Sequence, residues 1–225
     1  MRQYLYHGSD HIVGQPKYGE GKLHNDYGKG FYCTEDISLA REWAVDRDRD
    51  GYVNIYEIDD GDLQILNLEE DCYNGLHWIE ILLNNRNFSL NYPMAVAAAD
   101  YLHKYFHVNV DDYDVVIGYR ADDSYFSYAR AFVNGNIGLN QLCDSLRLGE
   151  LGVQYVLKSK KAFDQIKYIG SEHVNSYEWF AKKDARDKHA REAYKNMDVM
   201  KYIKTDIYIN KIIEEEMRAD DPRLQ

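Results

Sequence analysis

The glycines and aromatic residues between positions 7 and 43 constrain the fold of this chain most strongly. Tyr6-His7-Gly8-Ser9 is typical of the end of a strand, and Gly28-Lys29-Gly30-Phe31-Tyr32 is typical of a tight approach into a second strand. The apolar spacing from Ile37 to Trp43 then predicts a short helix. Two strands and a helix in this order would place His7, Tyr32 and Trp43 around one cleft.

This arrangement resembles the ADP-ribosyltransferase superfamily, in particular the branch that contains the poly(ADP-ribose) polymerases and the RNA 2'-phosphotransferases. The family's His-Gly-Ser/Thr is matched by residues 7–9, its Gly-x-Gly-x-Tyr by residues 28–32, and its stacking aromatic by Trp43. The run from Asp26 to Thr34, followed by Ala40-x-x-Trp43-Ala44, looks most like an uncharacterised bacterial family found near toxin–antitoxin and phage-defence genes. The resemblance extends to about Gly170.

The resemblance implies that these residues form an NAD site. His7 would bind ribose hydroxyls, the backbone of Gly8 would hold the nicotinamide carboxamide, and Tyr32 and Trp43 would sandwich the ring, since flat aromatic faces suit a flat cation. Each residue alone is more typical of a strand end or a core, and only the combined spacing favours NAD. The other motif residues expected to contact the cofactor are Ser9, Gly30 and Phe31.

The third position of the family pattern is usually a glutamate on a late strand. It should fall within residues 153–157, and the residue that fits is Gln154. An amide can fix the ribose 2'-hydroxyl but cannot take a proton as a carboxylate does. The resemblance therefore implies transfer of a single ADP-ribose rather than elongation into poly(ADP-ribose). Glu150 is the alternative acid, although Gly152 indicates a turn between the two positions.

Two other positions bear on the cleft. The polymerases bind the carboxamide with a serine three residues before the stacking aromatic, and this chain has Ala40 there, which predicts weak binding of nicotinamide-like inhibitors. Asp122 and Asp123 follow a buried strand, and we expect Asp122 in the cofactor site, where it would orient a ribose or the acceptor. Alternatively, the pair only complements the dipole at a helix N-terminus.

Charge and composition argue against several other functions. The net charge of −11 opposes binding of nucleic acid or anionic membrane over the whole surface. The three cysteines include no Cys-x-x-Cys pair, which argues against a disulfide framework or a zinc site. His103 and His107 lie one helical turn apart but no third ligand is apparent, so no metal site is predicted. Without a signal core or a membrane-spanning run, the chain is expected in the cytoplasm.

The order of predicted elements indicates an α+β fold. Strands in the first and last parts of the chain, with helices between them, suggest two small sheets around a cleft. The resemblance sharpens this to an ADP-ribosyltransferase-like split β-sandwich around an NAD cleft, with helical insertions. We assign residues 1–171 to this domain and residues 172–225 to a charged helical tail. An apolar stripe in the tail is expected to pack on the domain, or on a partner such as an antitoxin or a second copy: Met200, Ile203, Ile207 and Ile213.

The sequence therefore predicts an NAD-dependent mono-ADP-ribosyltransferase. It would transfer ADP-ribose from NAD to a protein or nucleic-acid acceptor and release nicotinamide, and the resemblance implies a bacterial toxin or defence effector. The alternative is a degenerate member that binds NAD or ADP-ribose without turnover, as a sensor or interaction module. Removal of RNA 2'-phosphate is a third hypothesis, which the negative net charge disfavours.

Overall fold

Strands and helices alternate along most of the chain. The computed structural model describes residues 2–121, 123–148 and 152–224, and for residues 123–125 the backbone alone. The strands are β1 (Arg2–Ser9), β2 (Phe31–Cys33), β3 (Gly51–Asp59), β4 (Ile65–Asn67), β5 (Val115–Tyr119), β6 (Val153–Leu157) and β7 (Ile166–Val174). The helices are α1 (Ile37–Ala44), α2 (Gly75–Asn85), α3 (Pro93–Tyr105), α4 (Asp123–Val133), α5 (Leu139–Arg147), α6 (Lys160–Gln165), α7 (Ser176–Lys195), α8 (Val199–Thr205) and α9 (Ile209–Glu214). Among the described residues, none of these helices is long and apolar enough to cross a bilayer.

The strands form two separate sheets, so the chain has a mixed α+β fold. The first sheet has the order β1-β3-β7 and is antiparallel throughout. The second has the order β2-β6-β5-β4, in which only β4 and β5 run parallel. The sequential strands β3 and β4 lie in different sheets and therefore do not form a hairpin.

One short contact between the sheets positions the end of β1. The Tyr6 amide donates to the Thr34 carbonyl at 2.8 Å, and the Thr34 amide donates back to the Tyr6 carbonyl at 2.9 Å. Because this bridge ties the end of β1 to the end of β2, His7 is held beside Phe31 and Tyr32. Helix α1 follows directly, and the Asp36 side chain caps it by accepting from the Ser38 amide at 2.7 Å.

The largest core lies between the second sheet and helices α2 to α5. Strand β5 is buried on both faces, as its continuous apolar run predicted, and Val116 at its centre is fully buried. Phe106 and Phe132 are also fully buried in this core. Removing a large apolar side chain from water stabilises a fold by about 1.5–3 kcal/mol, so this layer holds the helices against the sheet.

The C-terminal segment contacts both the first sheet and the main core. Strand β7 continues beyond Ser171 to Val174, and Arg41 of α1 donates two hydrogen bonds to Glu172, at 2.8 and 2.9 Å. Further along the chain, Arg186 of α7 donates to Glu42 of α1 at 2.8 Å. These pairs fasten α7 to the helix that carries Trp43.

Different parts of the predicted tail stripe have different environments. Ile207 and Ile213 pack at the edge of the main core, whereas the side chains of Met200 and Ile203 are more than half exposed, at 59% and 54%. Ile209, which was not in the stripe, is fully buried in that core.

Candidate functional site

A cleft of about 640 Å³ opens where the two sheets meet. Seven of the residues proposed from the motifs line it: His7, Gly8, Gly30, Phe31, Tyr32, Trp43 and Gln154. They come from β1, β2, α1, β6 and the loop before β2, so the fold brings together positions that are up to 147 residues apart (154 − 7). Ser9 is not among the lining residues, and its hydroxyl instead donates to the His11 carbonyl at 2.5 Å.

His7 is fixed by its neighbours on β2. Its Nδ1 lies 2.7 Å from the Tyr32 carbonyl oxygen, and its ring packs on Phe31 with centroids 4.4 Å apart. A carbonyl can only accept, so Nδ1 carries the proton and Nε2 of the neutral ring is left as an acceptor. Burial lowers the pKa of His7, which favours this neutral form. His7 is therefore equipped to accept a hydrogen bond from a ligand hydroxyl.

Tyr32 braces the glycine loop. Its hydroxyl donates to the Gly28 carbonyl at 2.6 Å and accepts from the Tyr27 amide at 3.1 Å. Gly28 has a φ of +70°, a conformation that a side chain would strain. Burial raises the pKa of Tyr32 well above its usual value, so the hydroxyl stays protonated. The ring thus lines the cleft while its hydroxyl holds the loop.

Trp43 is covered by a cation from the loop after β5. The Arg120 guanidinium carbon lies 4.5 Å from the centroid of the indole, a cation–π geometry. The indole Nε1 is buried and makes no hydrogen bond to any described residue. A planar ligand that stacks on the covered side of Trp43 must displace Arg120.

Gln154 is held by a buried carboxylate. Its Nε2 donates to Asp26 Oδ2 at 2.9 Å and lies 3.5 Å from the Tyr119 carbonyl oxygen. Both neighbours are acceptors, so the amide nitrogen must face them and Oε1 is the atom left for a ligand. Gln154 and Asp26 are each only 4% exposed.

Asp26 lines the cleft, although the sequence alone assigned it no role. Its Oδ2 also accepts from the Ala121 amide at 2.8 Å, and its Oδ1 lies 3.4 Å from Arg86 Nη1. Burial raises the pKa of Asp26, and the amide, Gln154 and the two nearby arginines oppose that rise. The residue opens the Asp-Tyr-Gly run of the motif, but an aspartate before a glycine turn is ordinarily a turn residue, so only the fold reveals its contact with Gln154.

The cleft is more basic than the chain as a whole. Its lining includes Lys17, Lys22, Arg86 and Arg120, against the carboxylates of Glu20 and Asp26. On a chain of net charge −11, this places local positive charge at the one surface where the motif residues meet. Such a lining suits an anionic ligand.

The glycines are required for packing inside the protein. A Cβ at Gly8 would overlap the Ala40 carbonyl oxygen and come within 2.7 Å of the Ala44 amide, so Gly8 allows β1 to lie directly against α1. A Cβ at Gly30 would come within 2.6 Å of Val156 Cγ1 on β6. Ala40 itself is fully buried, so its side chain is part of the core rather than of the cleft.

Three acidic residues considered from the sequence lie outside the described residues or side chains. Asp122 and Glu150 are not among the described positions, and the side chain of Asp123 is not described. The acid that the structure places beside Gln154 is Asp26.

Comparison with known proteins gives one family. Residues 3–168 match the family model described as "Protein of unknown function (DUF3990)". No curated protein matches the chain, and no solved structure matches it. The matched range contains every described residue of the cleft.

Proposed function

The chain belongs to the DUF3990 family, and we propose that it is an NAD-dependent mono-ADP-ribosyltransferase with an ADP-ribosyltransferase-like split β-sandwich. The observation that carries the proposal is the convergence of His7, Tyr32, Trp43 and Gln154 on one cleft. These residues were chosen from motif spacing and the family resemblance, and they come from four separate elements, β1, β2, α1 and β6.

The size and charge of the cleft support a dinucleotide ligand. About 640 Å³ is within the range of roughly 300–1,000 Å³ typical of small-molecule and cofactor sites. The diphosphate of NAD is anionic, and Lys17, Lys22 and Arg120 supply positive charge along the cleft wall. The aromatic side chains in the lining suit the nicotinamide ring.

The chemistry follows from the acceptors that the cleft offers. Cleavage of the bond between nicotinamide and ribose passes through an oxocarbenium-like transition state, so catalysis depends on holding the sugar in position. His7 Nε2 and Gln154 Oε1 are the acceptors that the motif residues offer to ribose hydroxyls. Asp26 acts as a positioning residue, because its hydrogen bond fixes the orientation of the Gln154 amide.

The amide at position 154 favours a single transfer. It can fix the 2'-hydroxyl of the ribose, but it cannot remove a proton from a second sugar as a carboxylate would. The acceptor is a protein or nucleic acid. The further proposal of a cytoplasmic bacterial toxin or defence effector, with an antitoxin partner, depends on the sequence resemblance alone.

Two observations favour a second function, a module that binds NAD or ADP-ribose without turnover. Arg120 covers the indole on which the nicotinamide ring would stack, and Gln154 replaces the acid of the family pattern. Both features are compatible with a site that binds the ADP-ribose half and leaves the nicotinamide pocket closed.

Nicotinamide release and NAD binding separate these functions. We expect the wild-type protein to release nicotinamide from NAD and His7→Ala to lower the rate by about 100-fold or more, because positioning supplies most of the rate. The matched control is His24→Ala, since His24 is an exposed histidine that does not line the cleft, and its rate should equal that of the wild type. Thermal melting of each variant controls for folding.

The outcomes are distinct. Calorimetric binding of NAD without nicotinamide release would favour the binding module. The absence of both binding and release in the folded wild-type protein would overturn both functions. With NAD labelled in the ADP-ribose half, label that is released from macromolecules by protease indicates a protein acceptor. Label that is released by nuclease indicates a nucleic-acid acceptor.

A further inference from the structure

Two histidines and a glutamate meet on the side of the fold formed by α2 and α3. Nδ1 of His103 lies 3.1 Å from Oε1 of Glu80, and Nδ1 of His107 lies 2.7 Å from the same oxygen. The two imidazole centroids are 4.8 Å apart. The sequence suggested no third ligand for the histidine pair, and the packing of α2 against α3 supplies Glu80.

The environment of Glu80 calls for a cation. Its side chain is only 1% exposed, and its Oε2 is buried without a hydrogen-bond partner among the described residues. The amide of Asn84 also donates to Oε1, so all the polar contacts fall on one oxygen. A buried carboxylate is costly unless positive charge compensates it.

The geometry is close to that of a tetrahedral metal site. One ligand atom from each of Glu80, His103 and His107 lies within 4.8 Å of the others. In a tetrahedron with metal–ligand distances of about 2.0–2.1 Å, neighbouring ligand atoms are about 3.4 Å apart. The observed separations of 3.1 and 2.7 Å need to open by about 0.3 and about 0.7 Å to admit an ion.

We propose that Glu80, His103 and His107 form a zinc site that joins α2 to α3. Two imidazole nitrogens and one carboxylate oxygen are a ligand set that suits Zn²⁺ and does not suit Mg²⁺ or Ca²⁺, which prefer oxygen. The histidine side chains are 63% and 44% exposed, so the fourth position faces solvent and takes a water molecule. When Zn²⁺ binds, each imidazole ligates through Nδ1 and carries its proton on Nε2.

The site is independent of the proposed NAD chemistry. None of its three ligands lines the cleft. It fixes the C-terminal half of α2, from Glu80 onwards, to the end of α3, and Arg86, which contacts Asp26, directly follows α2. The consequence of zinc binding is therefore a more stable junction between these two helices.

The test uses the full chain without an affinity tag, treated with a chelator and then titrated with Zn²⁺ by calorimetry. We expect one Zn²⁺ per chain. His103→Ala and His107→Ala should each weaken binding by more than the roughly 10–100-fold that loss of an outer-sphere partner costs. His189→Ala, in an exposed histidine of α7, is the matched control and should bind as the wild type does. Co²⁺ should give the intense visible absorption of tetrahedral coordination.

Several results would overturn the proposal. The proposal is wrong if the folded wild-type protein does not bind Zn²⁺. It is also wrong if the double variant His103→Ala/His107→Ala binds Zn²⁺ as tightly as the wild type does, or if the wild type binds Mg²⁺ as tightly as Zn²⁺. Both histidines are on the surface, so their variants should fold. Zn²⁺ should raise the melting temperature of the wild type and of His189→Ala, and should leave that of the double variant unchanged.

Discussion

The substitution Gln154→Glu tests the contact between Gln154 and Asp26. It introduces the glutamate that the resembled ADP-ribosyltransferases usually carry at this position, while keeping the size of the side chain. In this structure the new carboxylate would lie about as close to Asp26 Oδ2 as the present amide nitrogen does, 2.9 Å. The hydrogen-bond donor is replaced by a like charge in a position that is 4% exposed.

The expected loss of stability is the smaller of two costs: the repulsion between two ionised carboxyls, or the protonation of one of them. At an effective dielectric constant of about 20, two unit charges about 3 Å apart repel by about 5–6 kcal/mol. Protonating a glutamate of ordinary pKa about 4.3 costs about 4 kcal/mol at pH 7 and about 1 kcal/mol at pH 5. Protonation is the cheaper route, and the acid then donates its proton to Asp26 as the amide did. Arg86, 3.4 Å from Asp26, lowers the alternative cost of keeping both carboxyls ionised.

The stability of the variant should therefore depend on pH. Near neutral pH the two carboxyls of the folded variant share one bound proton, whereas both carboxyls of the unfolded chain are ionised. The free energy of unfolding therefore falls as pH rises. Relative to the wild type, urea denaturation should show a loss of about 2–4 kcal/mol at pH 7 and about 1 kcal/mol or less at pH 5. In Asp26→Asn/Gln154→Glu the amide and the acid exchange places, so this double variant should recover at least half of the loss at pH 7. An equal loss at both pH values, or no recovery, would refute the contact.

Two further predictions concern Tyr32 and Gly8. Tyr32→Phe should lower the free energy of unfolding in urea by about 1–3 kcal/mol, because the Gly28 carbonyl and the Tyr27 amide lose a buried partner; an unchanged midpoint would mean that the hydroxyl does not brace the loop. Gly8→Ala should lower the free energy of unfolding by about 3 kcal/mol or more, because the atoms that the new Cβ would meet belong to the backbone of α1. Gly14→Ala is the control: no atom lies within 4 Å of its new Cβ, so it should differ little from the wild type in the same assay.

Local sequence features predicted the first part of the fold well. The helix expected from Ile37 to Trp43 is α1, Ile37–Ala44, and the strand end at His7 is the end of β1. Apolar spacing and glycine positions express preferences of a few neighbouring residues, so they can be recognised without the rest of the chain. The class, a mixed α+β fold with two sheets, followed from the order of such elements.

The sequence by itself determined which residue types were available for a site. These are a histidine, a tyrosine and a tryptophan at the spacing of the resembled ADP-ribosyltransferases, and an amide on a late strand. The tertiary structure alone decided their partners. Asp26 reaches Gln154 across 128 positions, and Glu80 reaches His107 across 27, because sheet order and helix packing bring distant segments together. Burial then makes each of these polar contacts energetically important, because a carboxylate removed from water needs a hydrogen-bond donor or a cation. No local sequence pattern specifies which residue supplies that donor or cation.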